Sequence, residues 1–200
     1  MTRPAPAVKN IVFDLGNIIM DVDYRRFTDA MGWDYEAFKR FFGSPFFREF
    51  ETGKRSEDEF FKELNACIPL APGDEKRYRD NIHKAFSMRT RTWAMIHWLK
   101  KRHPVFLFSN TNSLDFDAIC KQTDLNRVIR FFYVSYVEGF IKPDPRAYAR
   151  FEQMFTVDPA ETLFVDDREE NVLAARQAGW KAEAIGNEDG LFEVLKHYSL

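Results

Sequence analysis

The chain has 200 residues, 45% of them hydrophobic and 30% charged, and its formal net charge is −2. This composition can bury a core and excludes a disordered chain, and the lack of a basic surplus argues against a nucleic-acid partner. The length suits one domain, or one domain that carries an insertion.

Cysteine usage and hydropathy bear on the cellular compartment. Cys67 and Cys120 have neither metal-ligand nor redox-motif spacing, so we interpret them as reduced thiols. No apolar run reaches the length of a signal-peptide core or of a membrane span. We therefore expect a cytoplasmic protein without a membrane partner.

The first predicted strand, residues 10–13, is a short apolar run rich in β-branched residues, and it ends at Asp14. Such a run suits a strand buried on both faces of a sheet. Gly16 then allows the chain to turn tightly away. An acid at the carboxyl end of a central parallel strand lies where open α/β sheets bind their ligands. Asp14 taken alone is more typical of an ordinary turn.

Residues 23–86 have helical patterning without a clear strand. They hold ten of the 21 phenylalanines, which predicts a small helical core packed by phenylalanine rather than an aromatic ligand cage. Ser56 and Glu59 have the spacing of a capping box and predict a helix start. Residues 74–86 are a further amphipathic helix candidate.

Two short segments of this block, residues 44–47 and 51–54, have the composition of exposed connections. Both are expected to be loops. Because loops carry functional side chains more often than buried elements do, these segments could reach a neighbouring site.

From residue 89 onward, predicted helices and strands alternate. The strands are expected at residues 105–108, 131–134, 163–165 and 182–185. The helices are expected at residues 92–102, at residues 114–122 with Ser113 as the cap, and at residues 191–198. Two more helices are expected: one begins at Pro145, and the other follows the strand at residues 163–165 and ends at Ala178. Strands that alternate with helices predict a parallel sheet with right-handed crossovers.

The helical block between the first two strands is too long for a crossover, so it is predicted to be an inserted domain. We predict an α/β fold with a Rossmann-like, doubly wound parallel sheet. Its core comprises residues 1–22 and 87–200, and an all-helical domain of residues 23–86 is inserted after the first strand.

Polar side chains follow several of the predicted strands. They are Asp14 after the first strand, Ser109 and Asn110 after the second, Lys142 in the loop after the third, and Asp166 and Asp167 after the fourth. Parallel strands bring these ends to one edge of the sheet. Three carboxylates at that edge would repel one another unless a cation neutralised them, and an all-oxygen donor set indicates Mg²⁺ rather than zinc.

The remaining polar groups suit a phosphate. Lys142 adds a positive charge, the Ser109 hydroxyl adds a donor, and Asn110 adds further hydrogen bonding. A metal, a carboxylate nucleophile and a phosphate clamp together predict phosphoryl transfer through an aspartyl-phosphate. Each residue alone also has an ordinary interpretation, such as a helix cap for Ser109 or a solvated surface residue for Lys142. Asn171 is expected to brace the loop after the fourth strand rather than to act in catalysis.

Four segments, FDLGN, LFSNTN, GFIKPDP and FVDDREEN, resemble motifs one to four of the haloacid dehalogenase superfamily, in its order and spacing. The helical insertion resembles the C1 cap of that superfamily, and the motif details are most similar to its glucose-1-phosphate phosphatase-like branch. The resemblance implies a Rossmann-like core, a helical cap that closes over the site, a Mg²⁺ cofactor and phosphatase activity on a small phosphorylated metabolite.

The resemblance also implies a role for each matched residue. Asp14 would be the nucleophile and a Mg²⁺ ligand, and the Gly16 carbonyl would be a second ligand. Asp167 would be the third ligand, and Asp166 would order a coordinated water. The transferring phosphoryl group would be held by Ser109, Asn110 and Lys142.

The chain departs from the superfamily at the position of the general acid and base. Most phosphatases of the superfamily have an Asp two residues after the nucleophile, but this chain has Gly16, and Ile18 stands where a Thr is usual. The metal site is unaffected, because that ligand is a backbone carbonyl. Asp21 and Asp23 are near enough in sequence to substitute, although solvated residues at the entry to the cap are the favoured interpretation.

The sequence therefore predicts a Mg²⁺-dependent phosphatase of small phosphorylated metabolites, with sugar phosphates as candidate substrates. Two alternatives remain. Gly16 favours a phosphometabolite-binding or regulatory module with little or no turnover. The other alternative is a metal-free 2-haloacid dehalogenase, against which Asp166 and Asp167 argue, since a metal-free site gains nothing from paired acids.

Overall fold

The computed structural model describes residues 7–200, so residues 1–6 of the predicted core lie outside the described residues. In chain order the strands are β1 (Asn10–Phe13), β2 (Met20–Val22), β3 (Phe86–Met88), β4 (Val105–Ser109), β5 (Phe131–Val134), β6 (Thr162–Asp166) and β7 (Lys181–Ala184). The α-helices are α1 (Tyr24–Met31), α2 (Tyr35–Phe42), α3 (Pro45–Glu51), α4 (Glu57–Cys67), α5 (Asp74–Asn81), α6 (Thr90–Leu99), α7 (Ser113–Gln122), α8 (Leu125–Val128), α9 (Ser135–Glu138), α10 (Pro145–Phe155), α11 (Glu169–Gln177) and α12 (Glu188–His197). Within the described range, every helix is too short or too polar to cross a membrane.

A five-stranded parallel sheet forms the core, in the order β5-β4-β1-β6-β7. The central strand is β1, in which Ile11, Val12 and Phe13 are fully buried. Because neighbouring residues of a strand point to opposite faces, Ile11 and Phe13 pack in one apolar cluster and Val12 in another. Both faces of the sheet are therefore covered by apolar residues of the helices, and the predicted α/β fold with a parallel sheet is confirmed.

The starts of α5 and α10 agree with the predicted residues, whereas those of α6, α7 and α12 differ by one to three residues. Helix α6 begins two residues earlier than expected and α12 three residues earlier. The predicted cap of α7 is wrong, because the Asn112 side chain, not Ser113, accepts the hydrogen bond from the Asp115 N–H. The Ser113 hydroxyl instead donates to Glu57 Oε1 at 2.6 Å, which joins α7 to α4.

A second sheet of two strands does not follow from the sequence pattern. Strands β2 and β3 pair antiparallel, with Met20 opposite Met88. The helix predicted at residues 74–86 is therefore wrong at its end, because α5 stops at Asn81 and Phe86 begins β3. Strands of three residues are too short to show an alternating pattern. Their pairing brings together the two ends of the helical block.

Between β2 and β3, a stretch that is described throughout, the chain forms helices α1 to α5. Aromatic rings pack between them, with ring centroids 5.3 Å apart for Phe41 and Phe60 and 5.5 Å apart for Phe60 and Tyr78. The capping box expected at the start of α4 is present, since the Ser56 N–H donates to Glu59 Oε2 at 2.9 Å. These features agree with an inserted helical domain, whose boundaries at residues 23 and 86 stay a prediction.

The predicted loop at residues 44–47 is instead the start of helix α3. The Ser44 hydroxyl accepts a hydrogen bond from the Phe47 N–H, and Pro45 occupies the first helical position. Phe47 and Phe50 are buried and anchor the helix. Helix α3 ends at Glu51, so the segment at residues 51–54 begins with the last helical residue.

Gly53→Ala tests how closely the helical block approaches the core. Gly53 has a φ of 68°, and a Cβ there would overlap the Tyr136 carbonyl oxygen in α9. Gly32 has a similar φ of 72° but nothing within 4 Å of a Cβ, so Gly32→Ala introduces backbone strain alone. In chemical denaturation we expect Gly32→Ala to lower the free energy of unfolding by about 1 kcal/mol, and Gly53→Ala by at least about 1 kcal/mol more. Equal losses in the two variants would contradict the close approach.

Candidate active site

The carboxyl ends of β1, β4 and β6 meet at one edge of the sheet, as their parallel order requires. Asp14 follows β1, Ser109 ends β4, Asp166 ends β6 and Asp167 follows it. Carboxylate oxygens of Asp14, Asp166 and Asp167 lie within 4.8 Å of one another. The structure thus brings together the three acids that the sequence pattern singled out.

Lys142 lies inside this acid cluster and not on the surface, because its side chain is 1% exposed. Its Nζ donates hydrogen bonds to Asp14 Oδ1, to Asp166 Oδ2 and to the Phe108 carbonyl oxygen, each at 2.7 Å. Burial acts to lower the pKa of the ammonium group, but the Asp14 and Asp166 carboxylates outweigh it and raise the pKa above its usual range. Lys142 is therefore a fixed positive charge at neutral pH.

The cluster contains more negative than positive charge. When all three carboxyl groups are ionised, their charges face the single positive charge of Lys142, and two negative charges are left without a partner. Burial raises the pKa of Asp14 to about 7, an effect that Lys142 opposes and Asp166 strengthens. A bound divalent cation would supply the two missing positive charges.

Asp166 and Asp167 differ in how many hydrogen bonds their carboxylate oxygens already accept. Both oxygens of the fully buried Asp166 are occupied, by Lys142 Nζ, by the Asn171 side chain at 3.0 Å and by the Arg168 N–H at 2.9 Å. Asp167 is half-buried, and within residues 7–200 only its Oδ2 receives a hydrogen bond, from Asn17 Nδ2 at 2.9 Å. Asp167 can therefore offer an oxygen to a ligand, and Asp166 has none to spare.

Asn171 and Asn17 hold these acids in place. The expectation that Asn171 braces the loop agrees with its hydrogen bonds to Asp166. Sequence reasoning missed Asn17, which adopts a left-handed φ of 54° after Gly16. Asparagine is one of the few residues that tolerate this conformation, and its place at the end of FDLGN was the signal that could have identified it.

Asn110 holds the backbone of Lys142. Its Nδ2 donates to the Lys142 carbonyl and its Oδ1 accepts from the Lys142 N–H, both at 2.8 Å. The amide is engaged on both sides, so the side chain positions Lys142, and its predicted contact with a phosphoryl group stays a prediction. Among residues 7–200, the Ser109 hydroxyl makes only a long contact of 3.4 Å with the Asn110 carbonyl, which leaves it able to donate to a ligand.

A cavity of about 490 Å³ opens over the acid cluster. The core contributes Asp14, Asp167, Lys142, Ser109 and Gly16 to its lining. The helical block contributes Tyr24, Phe42, Arg48 and Glu51. A cavity of this size accommodates a small metabolite.

Asp115 lines the cavity and was not identified from the sequence. Its Oδ2 accepts hydrogen bonds from the Tyr24 hydroxyl at 2.7 Å and from Asn112 Nδ2 at 2.9 Å. Its Oδ1 is buried and has no hydrogen-bond partner among residues 7–200. Burial raises the pKa of Asp115 to about 6, against the two hydrogen bonds. The free oxygen is an acceptor that a hydroxyl group of a ligand could satisfy.

Glu51 lines the same cavity from the end of α3. Burial raises the pKa of its carboxyl to about 7; Asp115 strengthens this effect, and Arg48 and Arg168 oppose it. In the part of the chain that the structure describes, no side chain or backbone group donates a hydrogen bond to Glu51. The expectation that the segment at residues 51–54 could reach a neighbouring site therefore applies to this residue.

Asp21 and Asp23, the acids nearest to Gly16 in sequence, have structural partners. Asp21 is exposed and pairs with Arg89 at 2.6 Å. Asp23 caps α1 through the Arg25 N–H at 3.0 Å. Neither lines the cavity, which agrees with the favoured interpretation of both as residues outside the site.

The haloacid dehalogenase-like hydrolase family matches residues 8–179, so the chain belongs to this family. The predicted superfamily membership is confirmed, and all four motifs lie inside the matched region; the branch within the superfamily stays a prediction.

Two relatives of similar length are phosphatases. The chain is 29% identical over 185 residues to a D-ribitol-5-phosphate phosphatase of Bacteroides thetaiotaomicron, covering 87% of this chain and 90% of the relative. It is 27% identical over 183 residues to a sesquiterpene phosphatase of Aspergillus oryzae, covering 86% of each chain. Its fold is similar to that of a haloacid dehalogenase family enzyme of Bacteroides thetaiotaomicron crystallised with magnesium and inorganic phosphate, with a TM-score of 0.79, 23% identity, and coverage of 89% of this chain and 94% of that one.

We expect Mg²⁺ to raise the melting temperature, because a cation that binds only the folded acid cluster stabilises the folded state by mass action. At roughly 100-fold above its Kd the gain is about 2.7 kcal/mol, which is several degrees for a chain of this length. Asp167→Asn should abolish most of this shift. Glu169→Gln, which removes an exposed acid of α11 that does not line the cavity, should retain it. Equal shifts in the two variants, measured by thermal unfolding with and without Mg²⁺, would contradict the cluster as the binding site.

Proposed function

We propose that this protein is a Mg²⁺-dependent phosphatase of small phosphorylated metabolites that acts through an aspartyl-phosphate on Asp14. The observation that carries the proposal is the cluster of the buried Asp14 and Asp166 with the half-buried Asp167, next to the buried Lys142, at the edge of the parallel sheet. Such a cluster provides a nucleophile, a cation site and a fixed positive charge in one place, which phosphoryl transfer requires. The phosphatase activity of both relatives supports it.

The donor set fits Mg²⁺, because the groups that carry the excess negative charge are all oxygens. Asp14, the Gly16 carbonyl and Asp167 would hold the ion directly, and Asp166 would contact it through water. The hydrogen bonds support Asp167 rather than Asp166 as the direct ligand, since among the described residues Asp167 has an oxygen without a partner and Asp166 does not. When bound, Mg²⁺ supplies positive charge that offsets the charge on the phosphoryl oxygens.

The residues of the chain then divide the work of the reaction. An oxygen of the Asp14 carboxylate attacks phosphorus, and the bond from phosphorus to the ester oxygen breaks. The Ser109 hydroxyl can donate to the phosphoryl oxygens, and the positive charge of Lys142, whose three N–H groups are engaged by Asp14, Asp166 and the Phe108 carbonyl, offsets their negative charge. Asn110 keeps Lys142 in place. Water hydrolyses the aspartyl-phosphate, which releases inorganic phosphate and restores Asp14.

The lining of the cavity bears on the substrate class. Phe42 and Phe86 supply apolar surface, whereas the Asp115 Oδ1 is an acceptor for a hydroxyl group. A small phosphate ester with hydroxyl groups satisfies both kinds of lining, so sugar and polyol phosphates are the favoured substrates. The relative that acts on D-ribitol 5-phosphate is consistent with this class. The cytoplasmic location stays a prediction from the two free cysteines.

A phosphometabolite-binding module is the second candidate, and Gly16 favours it. A phosphate-release screen over sugar and polyol phosphates with Mg²⁺ separates the two functions. Turnover of any ester supports the phosphatase, whereas saturable binding without release supports the module. The metal-free dehalogenase is disfavoured, because the excess negative charge of the cluster serves no purpose without a cation.

Asp14→Asn should abolish phosphate release, because an amide is a far weaker nucleophile than a carboxylate; losses of a nucleophile are on the order of 10⁴–10⁶-fold. The melting temperature without Mg²⁺ should stay the same or rise, because one of the excess negative charges is gone. The control is Asp29→Asn, which removes an exposed acid of α1. Phosphate release near the wild-type rate in Asp14→Asn would remove Asp14 from the mechanism.

Lys142→Ala should have opposite effects on turnover and on metal binding. Turnover should fall by about 10²–10³-fold, the usual cost of removing one electrostatic contact to a transition state. The half-saturating Mg²⁺ concentration should fall as well, because the cluster loses its own cation. A rise in that concentration, measured by Mg²⁺ titration of the melting temperature, would contradict the charge arrangement.

A further inference from the structure

The proposed reaction needs a group that gives a proton to the departing oxygen and removes one from water. Gly16 has no side chain for this, and Lys142 is held as an ammonium by two carboxylates and a carbonyl. Asp166 has every acceptor position engaged. The described residues at the strand ends therefore supply a nucleophile and charge, but none of Gly16, Lys142 and Asp166 can transfer a proton.

Three further acids line the cavity, and they differ in their partners. Glu170 is exposed and pairs with Arg168. Asp115 receives hydrogen bonds from Tyr24 and Asn112, which favour its ionised form and fix its orientation as an acceptor. Glu51 alone among these three has no hydrogen-bond donor within residues 7–200, so it is free to exchange a proton with a ligand.

We propose that Glu51, supplied by the helical block, is the general acid and base of this enzyme in place of the side chain that Gly16 lacks. This inference rests on the proposed phosphatase function. In the first step an oxygen of Asp14 bonds to phosphorus, the ester P–O bond breaks, and the departing oxygen takes the proton of the Glu51 carboxyl. In the second step water attacks phosphorus, its proton passes to the Glu51 carboxylate, and the bond from phosphorus to Asp14 breaks.

The packing of α3 holds Glu51 at the cavity. Phe47 and Phe50 anchor the helix in the apolar core, and Gly53, two residues after its end, lies where a Cβ would overlap the Tyr136 carbonyl oxygen. Glu51 therefore lies at the contact between the helical block and the sheet-bearing core, on the same cavity as Asp14. A group in this position can meet a ligand that is bound at the acid cluster.

The environment of Glu51 suits proton transfer near neutral pH. Burial raises the pKa of Glu51 to about 7, and general acids and bases are most effective when their pKa lies near the working pH. The charged and titratable groups around it are Asp115 on α7, Arg48 on α3, Arg168 before α11 and Tyr24 on α1. Burial and Asp115 favour the protonated form, which protonates the leaving group, and the two arginines favour the carboxylate, which accepts the proton of water.

Glu51→Gln tests the inference through the leaving group. The value of kcat/KM reports the steps up to formation of the phosphoenzyme, so it should fall by about 10²–10⁴-fold for an alkyl ester such as ribitol 5-phosphate or glycerol phosphate. For p-nitrophenyl phosphate, whose leaving group departs without a proton, it should stay within a few-fold of wild type. That ester should also give a burst of p-nitrophenol, because hydrolysis of the phosphoenzyme becomes slow.

Two further variants complete the experiment. Glu51→Asp keeps a carboxyl group, so it should recover part of the kcat/KM that Glu51→Gln loses on alkyl esters. In wild type and in Glu51→Asp, the rate on alkyl esters should fall as the pH rises through the pKa of this carboxyl group. Glu51→Gln should lack this fall. Glu49→Gln, on the same helix but outside this cavity, should match wild type on every ester.

The outcomes separate this inference from the proposed function. The same fractional loss of kcat/KM on all esters in Glu51→Gln, or wild-type rates on alkyl esters, would overturn the role of Glu51 and leave the phosphatase intact. No turnover of either ester by the wild-type enzyme with Mg²⁺ would overturn the phosphatase itself, and Glu51 as its acid and base with it.

Discussion

The Lys142 ammonium group is bonded to the ends of three adjacent strands at once. It donates to Asp14 after β1, to the Phe108 carbonyl of β4 and to Asp166 at the end of β6. A buried ammonium is tolerated only when its donors are satisfied and its charge is paired, and the same holds for the buried carboxylates around it. Each partner therefore constrains the others, and the edge of the sheet is held in one geometry.

The same arrangement accounts for the chemistry. One ammonium group cannot neutralise three carboxylates, so the excess negative charge of the cluster favours the binding of a cation. A bound cation would in turn attract a phosphoryl group. Gly16, Lys142 and Asp166, by contrast, cannot transfer protons at this site. The helical block supplies an uncommitted carboxyl, Glu51, where it contacts the core near Gly53. The charged groups lie at the edge of the sheet, and the proton-transfer group lies in the helical block. The proposed reaction therefore depends on how closely the helical block approaches the sheet.

Much of the sheet and of the acid cluster could be predicted from the sequence, because both depend on local pattern. The apolar run before Asp14 ends at a turn, and parallel order determines which strand ends meet. Other features depend on contacts that no local pattern contains. Strands β2 and β3 are too short to show an alternating pattern. The pKa values of Asp115 and Glu51 are raised by burial under segments that are distant in sequence. The sequence predicts Lys142 as part of a phosphate clamp, whereas its hydrogen bonds to Asp14 and Asp166 depend on contacts between distant segments.

The identity of the nucleophile is tested most directly by trapping the phosphoenzyme. Enzyme that is turning over a phosphate ester with Mg²⁺ is quenched in acid and treated with borohydride, which reduces an acyl phosphate to an alcohol and so converts a phosphorylated aspartate to homoserine. Peptide mass spectrometry should find homoserine at position 14 and unmodified aspartate at positions 166 and 167. Homoserine at another acid, or an unmodified Asp14 during turnover, would contradict covalent transfer to Asp14.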